Sequence, residues 1–262
     1  MAVPQDAPAS RTIPGEMEAH YEFAPNCIEI RACGGTVITV SYRVPPFPPR
    51  GDRMKEKVDS IIEILKARYP DALCALHYTK DYELMIAVRL AAQCTDARVN
   101  LGTPALFAAY PTLEAMAAAE ITDVENYVRS CGFYKHKARD IVLGSQMLLT
   151  DFGGKVPGTM EELLKIPGIG RKTANLLLGD IHGHPGAIVC DTHCIRICGR
   201  LGLSTGKDPE KVERQLRQIL PPEESNDFCH RIVLFGREIC TARKPKCDEC
   251  PLAIHCQEVN MA

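Results

Sequence analysis

Gly168 and Gly170, in Pro167-Gly168-Ile169-Gly170, interrupt a pair of helical patterns and dictate how this part of the chain can run. Upstream, Thr159 followed three residues later by Glu162 is a capping box ahead of a short apolar run. Downstream, Arg171-Lys172-Thr173-Ala174-Asn175-Leu176-Leu177-Leu178 opens a second helical pattern. The spacing predicts two short helices joined by a glycine hairpin. The backbone N–H groups of Gly168, Ile169 and Gly170 would face outward with no side chain in front of them, and the next helix N-terminus adds partial positive charge. Such a turn can hold a phosphate, and it can equally be an ordinary helix cap. Lys172 favours the phosphate reading, because it sits in a first turn where the helix dipole disfavours a cation by about 0.3 to 1 kcal/mol. A local rule broken in this way often marks a functional position.

No apolar run approaches the roughly 18 residues of a membrane span, and the N-terminus lacks the basic-then-apolar order of a secretory signal. Asp6, Glu16, Glu18 and Glu22 argue against a mitochondrial transit peptide, so a cytoplasmic protein with no membrane partner is expected. Thirteen cysteines in such a compartment are not a disulfide framework, and their spacing has to decide their role. Cys240, Cys247, Cys250 and Cys256 give C-x6-C-x2-C-x5-C. Zinc ribbons pair two C-x2-C units and only one is present, whereas four clustered thiolates also suit a 4Fe-4S cluster. Cys190, Cys194 and Cys198 recur every four residues on one helical face, which reads better as packing than as a metal site.

Apolar and charged fractions of 45% and 24% over 262 residues describe a globular protein of one large domain or two small ones. A net charge of -2 does not advertise a nucleic-acid binder, although basic residues gather locally at Arg129 to Arg139, at Lys165, Arg171 and Lys172, and at Arg237 to Lys246. Residues 1–53 hold Pro4, Pro8, Pro14, Pro25 and the run Pro45-Pro46-Phe47-Pro48-Pro49, which no helix could contain. Alternation on either side of Gly34-Gly35 predicts a short β-hairpin there, with a disordered extension as the alternative. From Met54 onward the period is helical, so the core is expected to be all-α. Val58, Ile61, Ile62 and Leu65 give a first helix ended by Pro70. Asp81 is expected to cap a second, Thr95 and Thr112 two more, and Thr122 another with Glu125 as its partner, while Pro104 should cut the Thr95 helix short. Further helices are expected over Tyr134 to Phe152, Asp191 to Arg200, Pro209 to Leu220 and Ser225 to Glu238.

Several short stretches converge on one resemblance. They are Gln93-Cys94-Thr95-Asp96, Cys131-Gly132-Phe133-Tyr134, the hairpin with its Arg171-Lys172-Thr173-Ala174-Asn175, and Val189-Cys190-Asp191-Thr192-His193. The cysteine loop adds Gly236-Arg237 before it and Ala242-Arg243-Lys244-Pro245 within it. Together they resemble the endonuclease III family of DNA glycosylases over about residues 54 to 256. Read alone, Asp191 and Thr95 are helix caps and Phe133 is buried core as readily as anything else. The resemblance gives them further duties. It implies Lys172 as nucleophile, Asp191 as the carboxylate that assists base loss, Gln93 as a residue entering the base stack and Phe133 as a second, apolar wedge. His193 is read as structural.

The resemblance further implies two helical lobes with DNA between them. One spans residues 74–184 with the helix-hairpin-helix, and the other combines 54–73 with the cluster region 185–262. Gly168, Ile169, Gly170 and Arg171 would touch the DNA backbone, as would Arg243 and Lys244 on a loop stapled by the 4Fe-4S cluster. The implied activity is that of a monomeric bifunctional glycosylase and abasic-site lyase acting on oxidised pyrimidines in duplex DNA, nucleoid-associated if bacterial. A monofunctional mismatch glycosylase and a non-catalytic DNA-binding iron–sulfur protein are the alternatives.

Overall fold

The computed structural model describes residues 21–24, 27–31, 37–40 and 50–260. Three strands, β1 (Tyr21–Ala24), β2 (Cys27–Arg31) and β3 (Val37–Val40), form an antiparallel sheet in the order β1-β2-β3, with Tyr21 opposite Ile30 and Ile30 opposite Ile38. The sheet contains the pairing expected across Gly34-Gly35, whose own residues lie outside those described, and adds β1, which alternation had not singled out. This N-terminal unit, Met1–Arg53, is distinct from the unit Met54–Ala262.

The larger unit is helical. Its first residues continue α1 (Arg50–Arg68), where Val58, Ile61, Ile62 and Leu65 are at most 4% exposed, on a single stripe of 3- and 4-residue steps. In α2 (Asp81–Ala91) the N-cap is Lys80 rather than Asp81. The reason is Glu83, whose buried carboxylate accepts from the Thr79 N–H and hydroxyl at 2.8 Å and from the Lys80 N–H at 3.2 Å, taking over the cap's work. Thr95 caps α3 (Asp96–Ala109) and Thr112 caps α4 (Leu113–Ala117), as expected.

Pro104 does not shorten α3. Its missing N–H costs the helix one bond, and buried Val99, Thr103 and Leu106 hold the helix through it. Helix α5 (Ile121–Val128) has Glu120 at its cap position and Thr122 inside, contrary to the capping-box reading. Starting two residues earlier puts Ile121, Val124 and Val128 on one stripe, and that burial outweighs a cap worth about 1 kcal/mol. Then come α6 (Tyr134–Phe152), α7 (Met160–Leu163), α8 (Arg171–Asp180), α9 (Thr192–Arg200), α10 (Pro209–Arg217), α11 (Ser225–Glu238) and α12 (Gln257–Asn260). Helix α10 stops three residues short of the expected Leu220, which instead closes a turn by donating to Leu216 O at 2.8 Å.

Two apolar cores are built in this unit. The first draws on Leu76 through Ala187, including Leu84, Ile86, Leu106, Met116, Ile141 and Leu177. The second joins Val58, Ile61, Ile62 and Leu65 of α1 to residues from Ile188 to Leu252, including Phe228 and Phe235. Each fully buried Leu, Ile or Phe contributes about 1.5 to 3 kcal/mol. Leu176 of α8 packs against both cores, which places the middle of that helix at their junction.

Candidate active site at the junction of two helical cores

Thr159 accepts from the Glu162 N–H at 3.3 Å to start α7, and Glu162 in turn accepts the Thr159 hydroxyl at 2.8 Å. The chain then turns at Gly168 with φ 76°, where a Cβ would lie 2.2 Å from Arg89 Nε and 2.6 Å from Asp140 Oδ2. Those two side chains form an ion pair at 2.6 Å, so the hairpin rests directly on it. The Ile169 side chain is buried and its N–H donates to Ile166 O at 3.1 Å. This corrects the expectation that all three hairpin N–H groups are available to a ligand. Gly168 and Gly170 are exposed, and Gly170 occupies the N-cap of α8 without any capping side chain. Among the described residues no N-cap side chain accepts from the first-turn N–H groups of α8, which is the arrangement an anion can complete.

Arg171, expected on phosphate, is engaged elsewhere. Its guanidinium makes a two-pronged pair with buried Glu213, Nε at 2.7 Å and Nη2 at 2.9 Å. Arg217 joins the same carboxylate at 2.9 Å. Burial alone would raise the Glu213 carboxyl, but Arg171 and then Arg217 outweigh it and hold it below the usual carboxylate range. Arg171 thus fastens the start of α8 to α10.

Lys172, one residue on, is exposed on a cavity of about 830 Å³. Asp191 and Gln93 line the same cavity. Asp191 does cap α9, accepting from the Cys194 N–H at 2.7 Å with one oxygen, so capping and cavity lining coexist. His193 also lines the cavity, and burial lowers it below the usual imidazole range; Asp191 opposes that shift, while Arg196, Arg237 and Lys172 add to it. Two further lining residues carried no local sequence signal as partners: Asp96 and Arg237 form an ion pair at 2.7 Å across 141 residues of chain.

Gln93 and Phe133 are exposed and have positive φ, 54° and 46°. Phe133, 65% exposed, is therefore not core, and it lies outside the cavity lining. Arg243 and Lys244 are exposed on the loop between Cys240 and Cys247.

The four loop cysteines have the chemistry of a cluster site. Burial pushes the Cys250 thiol up, the Leu252 backbone partly offsets this, and Cys240, Cys256 and Cys247 push it further up, so the other three sulfurs lie within electrostatic reach of Cys250. Arg200 donates to Cys240 Sγ at 3.2 Å, the kind of hydrogen bond that stabilises a sulfur ligand. Among the described residues no three His, Cys, Asp or Glu side chains close round a point as a single ion requires. By contrast, Cys190, Cys194, Cys198 and Cys229 are buried in the second core, with 3.9 Å between the Cys194 and Cys198 sulfurs.

A glycine hairpin feeding an uncapped helix, with a lysine and an aspartate on one cavity, defines a helix-hairpin-helix DNA repair protein. Residues 86–222 match the HhH-GPD superfamily base excision DNA repair protein, and residues 240–256 match the iron-sulfur binding domain of endonuclease III. The chain is 42% identical to endonuclease III of Synechocystis sp. over 202 residues, covering 77% of this chain and 92% of that one. It is 37% identical to endonuclease III of Escherichia coli K12 over 203 residues, covering 78% and 96%. A solved trapped endonuclease III–DNA covalent intermediate, an estranged-adenine complex, superposes with TM-score 0.74 at 39% identity, covering 79% of this chain and 97% of that one. A thermostable thymine-DNA glycosylase superposes with TM-score 0.69 at 19% identity, a likeness of fold alone. The chain belongs to the endonuclease III family. It is a base excision DNA repair glycosylase whose C-terminal loop takes a 4Fe-4S cluster. Among the described residues no helix is long and apolar enough to cross a membrane.

Proposed function

We propose that this protein is a monomeric bifunctional DNA glycosylase and abasic-site lyase that removes oxidised pyrimidines from duplex DNA. The observation that carries the reading is the placement of Lys172 and Asp191 on one cavity, beside an uncapped helix N-terminus. Two lobes, residues 74–184 and residues 54–73 with 185–262, flank the duplex, which lies across their junction; the presence of two apolar cores supports that division. Phosphate is held by the N–H groups of Gly168 and Gly170 and the first turn of α8, and by Arg243 and Lys244. A flipped nucleotide enters the cavity while Gln93 and Phe133 fill the space it leaves, recovering part of an unstacking cost of a few kcal/mol.

The Lys172 amine, in its free form, attacks the anomeric carbon as the base departs. Asp191 stabilises positive charge developing on the sugar. Loss of the base leaves an imine between Lys172 and the opened sugar, which acidifies the adjacent C–H and lets the 3′ phosphate leave. Cys240, Cys247, Cys250 and Cys256 would hold the cluster, which folds the Arg243–Lys244 loop against DNA.

Borohydride reduction on a duplex bearing thymine glycol should trap a covalent protein–DNA adduct. Lys172→Gln should abolish trapping and strand cleavage while leaving binding largely intact. Trapping by that variant would make another amine the nucleophile, and base release without trapping by the unaltered protein would make it monofunctional. A relative at 39% identity has been trapped covalently on DNA, which supports the bifunctional reading.

A further inference from the structure

Lys137 is 1% exposed and lies outside the cavity lining, so nothing in the chemistry at Lys172 and Asp191 accounts for it. Its Nζ donates to Leu90 O at 2.8 Å and to Cys131 O at 2.6 Å. Both carbonyls stand at the edge of a strained turn. A helix continuing past α2 would give the Cys94 N–H to Leu90 O, but the turn at Gln93 gives it to Ala91 O at 3.1 Å, and Lys137 takes the place left open. Cys131 ends a 3₁₀ turn, Arg129–Cys131, and is followed by Gly132 and Phe133, both at positive φ. The Lys137 N–H also donates to Phe133 O at 3.1 Å, and Phe133 is the N-cap of α6. One residue is therefore bonded to both turns that carry the exposed positive-φ residues Gln93 and Phe133. A second fastening lies beside it, where Arg89 Nε donates to Asp140 Oδ2 at 2.8 Å. Arg89 adjoins Leu90, and Asp140 is one helical turn beyond Lys137. The ion pair holds helix α2 to helix α6, whereas Lys137 holds turn to turn.

We propose that Lys137 is a positioning residue for base eversion, which fixes the spacing between Gln93 and Phe133 by gathering Leu90 O and Cys131 O on one nitrogen. The inference deepens the wedge reading of those two residues and rests on it. Two side chains rooted in separate turns fill one gap in a base stack only when the turns keep their separation, and a displacement of about 1 Å can cost on the order of 100-fold in rate. A single amine shared by both turns supplies that constraint without touching DNA. The demand falls on one step of the reaction. A damaged base has to leave the stack, but an abasic nucleotide has no base to unstack and reaches Lys172 without a wedge. Because the Arg89–Asp140 pair still joins the helices when Lys137 is changed, the turns are freed while the cavity stays assembled.

The test compares two substrates in single-turnover reactions of the full-length, cluster-loaded protein: a duplex bearing thymine glycol, and the same duplex bearing a preformed abasic site. Lys137→Met, which keeps most of the side-chain length and removes the N–H donors, should slow thymine glycol excision on the order of 10- to 100-fold and leave abasic cleavage within about twofold. A residue that merely held the fold together would slow both alike. Gln93→Ala combined with Phe133→Ala should reproduce the split, and adding Lys137→Met to that pair should cost nothing more, since groups that act through the same residues are not additive. If Lys137→Met is not recovered folded, Lys137→Arg takes its place under the same criterion, because a forked guanidinium cannot put both donors where one nitrogen stands. Equal loss on the two substrates, no loss on thymine glycol, or a further loss on top of the double variant would overturn the proposal and leave the wedges in place. A double variant that excises thymine glycol at the unaltered rate would remove the wedge reading, and the proposal with it.

Discussion

Gln93 and Phe133 share a backbone conformation, φ 54° and 46°, that no other non-glycine residue takes among those described. Such a position costs about 1 to 2 kcal/mol for an L-residue, and both side chains point into solvent, where nothing repays it. Strain carried by two exposed residues is what a site held ready for a ligand would show. Phe133→Gly should therefore stabilise the protein by about 0.5 to 1 kcal/mol, after allowing for the greater freedom of glycine when unfolded. Incision of damaged duplex should fall at the same time. A thermal melt and an incision assay on one preparation would read both, and a destabilised variant with full activity would contradict the assignment.

Gly168 and Gly170 should respond to alanine in opposite ways. At position 168, positive φ and a Cβ 2.2 Å from Arg89 Nε force the Arg89–Asp140 pair aside, a cost of at least about 2 kcal/mol. At position 170 a Cβ meets nothing within 4 Å, so Gly170→Ala should lose no more than about 1 kcal/mol, the price of a poorer N-cap. That methyl group stands before the uncapped N–H groups of α8, and DNA affinity should weaken although the fold survives. Chemical denaturation with a binding titration separates the two effects.

The Glu213 carboxyl sets an acid limit on stability. Its folded value is lowered, so between that value and the ordinary carboxylate range the unfolded chain binds more protons than the folded one, and stability rises with pH. The contribution is complete above the ordinary carboxylate range and is lost as pH falls through the lowered value. Arg171→Ala should remove about 1 to 2 kcal/mol at neutral pH, discounted for the partly exposed guanidinium, and should move acid unfolding to higher pH. Unchanged acid unfolding would show that Arg217 alone holds the carboxylate.

The cysteine loop should make the purified protein yellow-brown, with about four iron atoms per chain. Replacing Cys250, which packs against the second core, with Ser should reduce iron content and DNA affinity together, because cluster binding and loop folding are coupled. Stoichiometric zinc in a colourless protein would refute the cluster.

The positions that sequence made legible are those whose signal is local. Lys172 and Asp191 each stand in a run of five residues, and the caps Thr95, Thr112, Thr159 and Asp191 declared themselves through the residues that follow them. Thr122 misled because a threonine with a glutamate three residues on satisfies a capping box on paper, while the apolar stripe decides the register. What stayed hidden depends on distant partners. Arg171 meets Glu213 across 42 residues and Asp96 meets Arg237 across 141, and no periodicity reports such a pairing. The exposure of Phe133 was hidden too, since an aromatic residue gives the same local signal whether it is buried or presented.

The second core unites α1 with residues 188–252, whereas the first is drawn from one uninterrupted stretch, Leu76 to Ala187. During synthesis the first core can close as soon as its own segment emerges, but α1 must wait, its apolar stripe unsatisfied, until more than a hundred later residues have been added. Contacts between such distant segments are slow to form, so the two cores should mature in sequence. Pulsed hydrogen exchange during refolding should protect Leu84 to Leu90 before Ile61 to Leu65. If so, the cavity that holds Lys172 and Asp191 is the last part of the molecule to be completed, and a nascent or truncated chain has no means of acting on DNA.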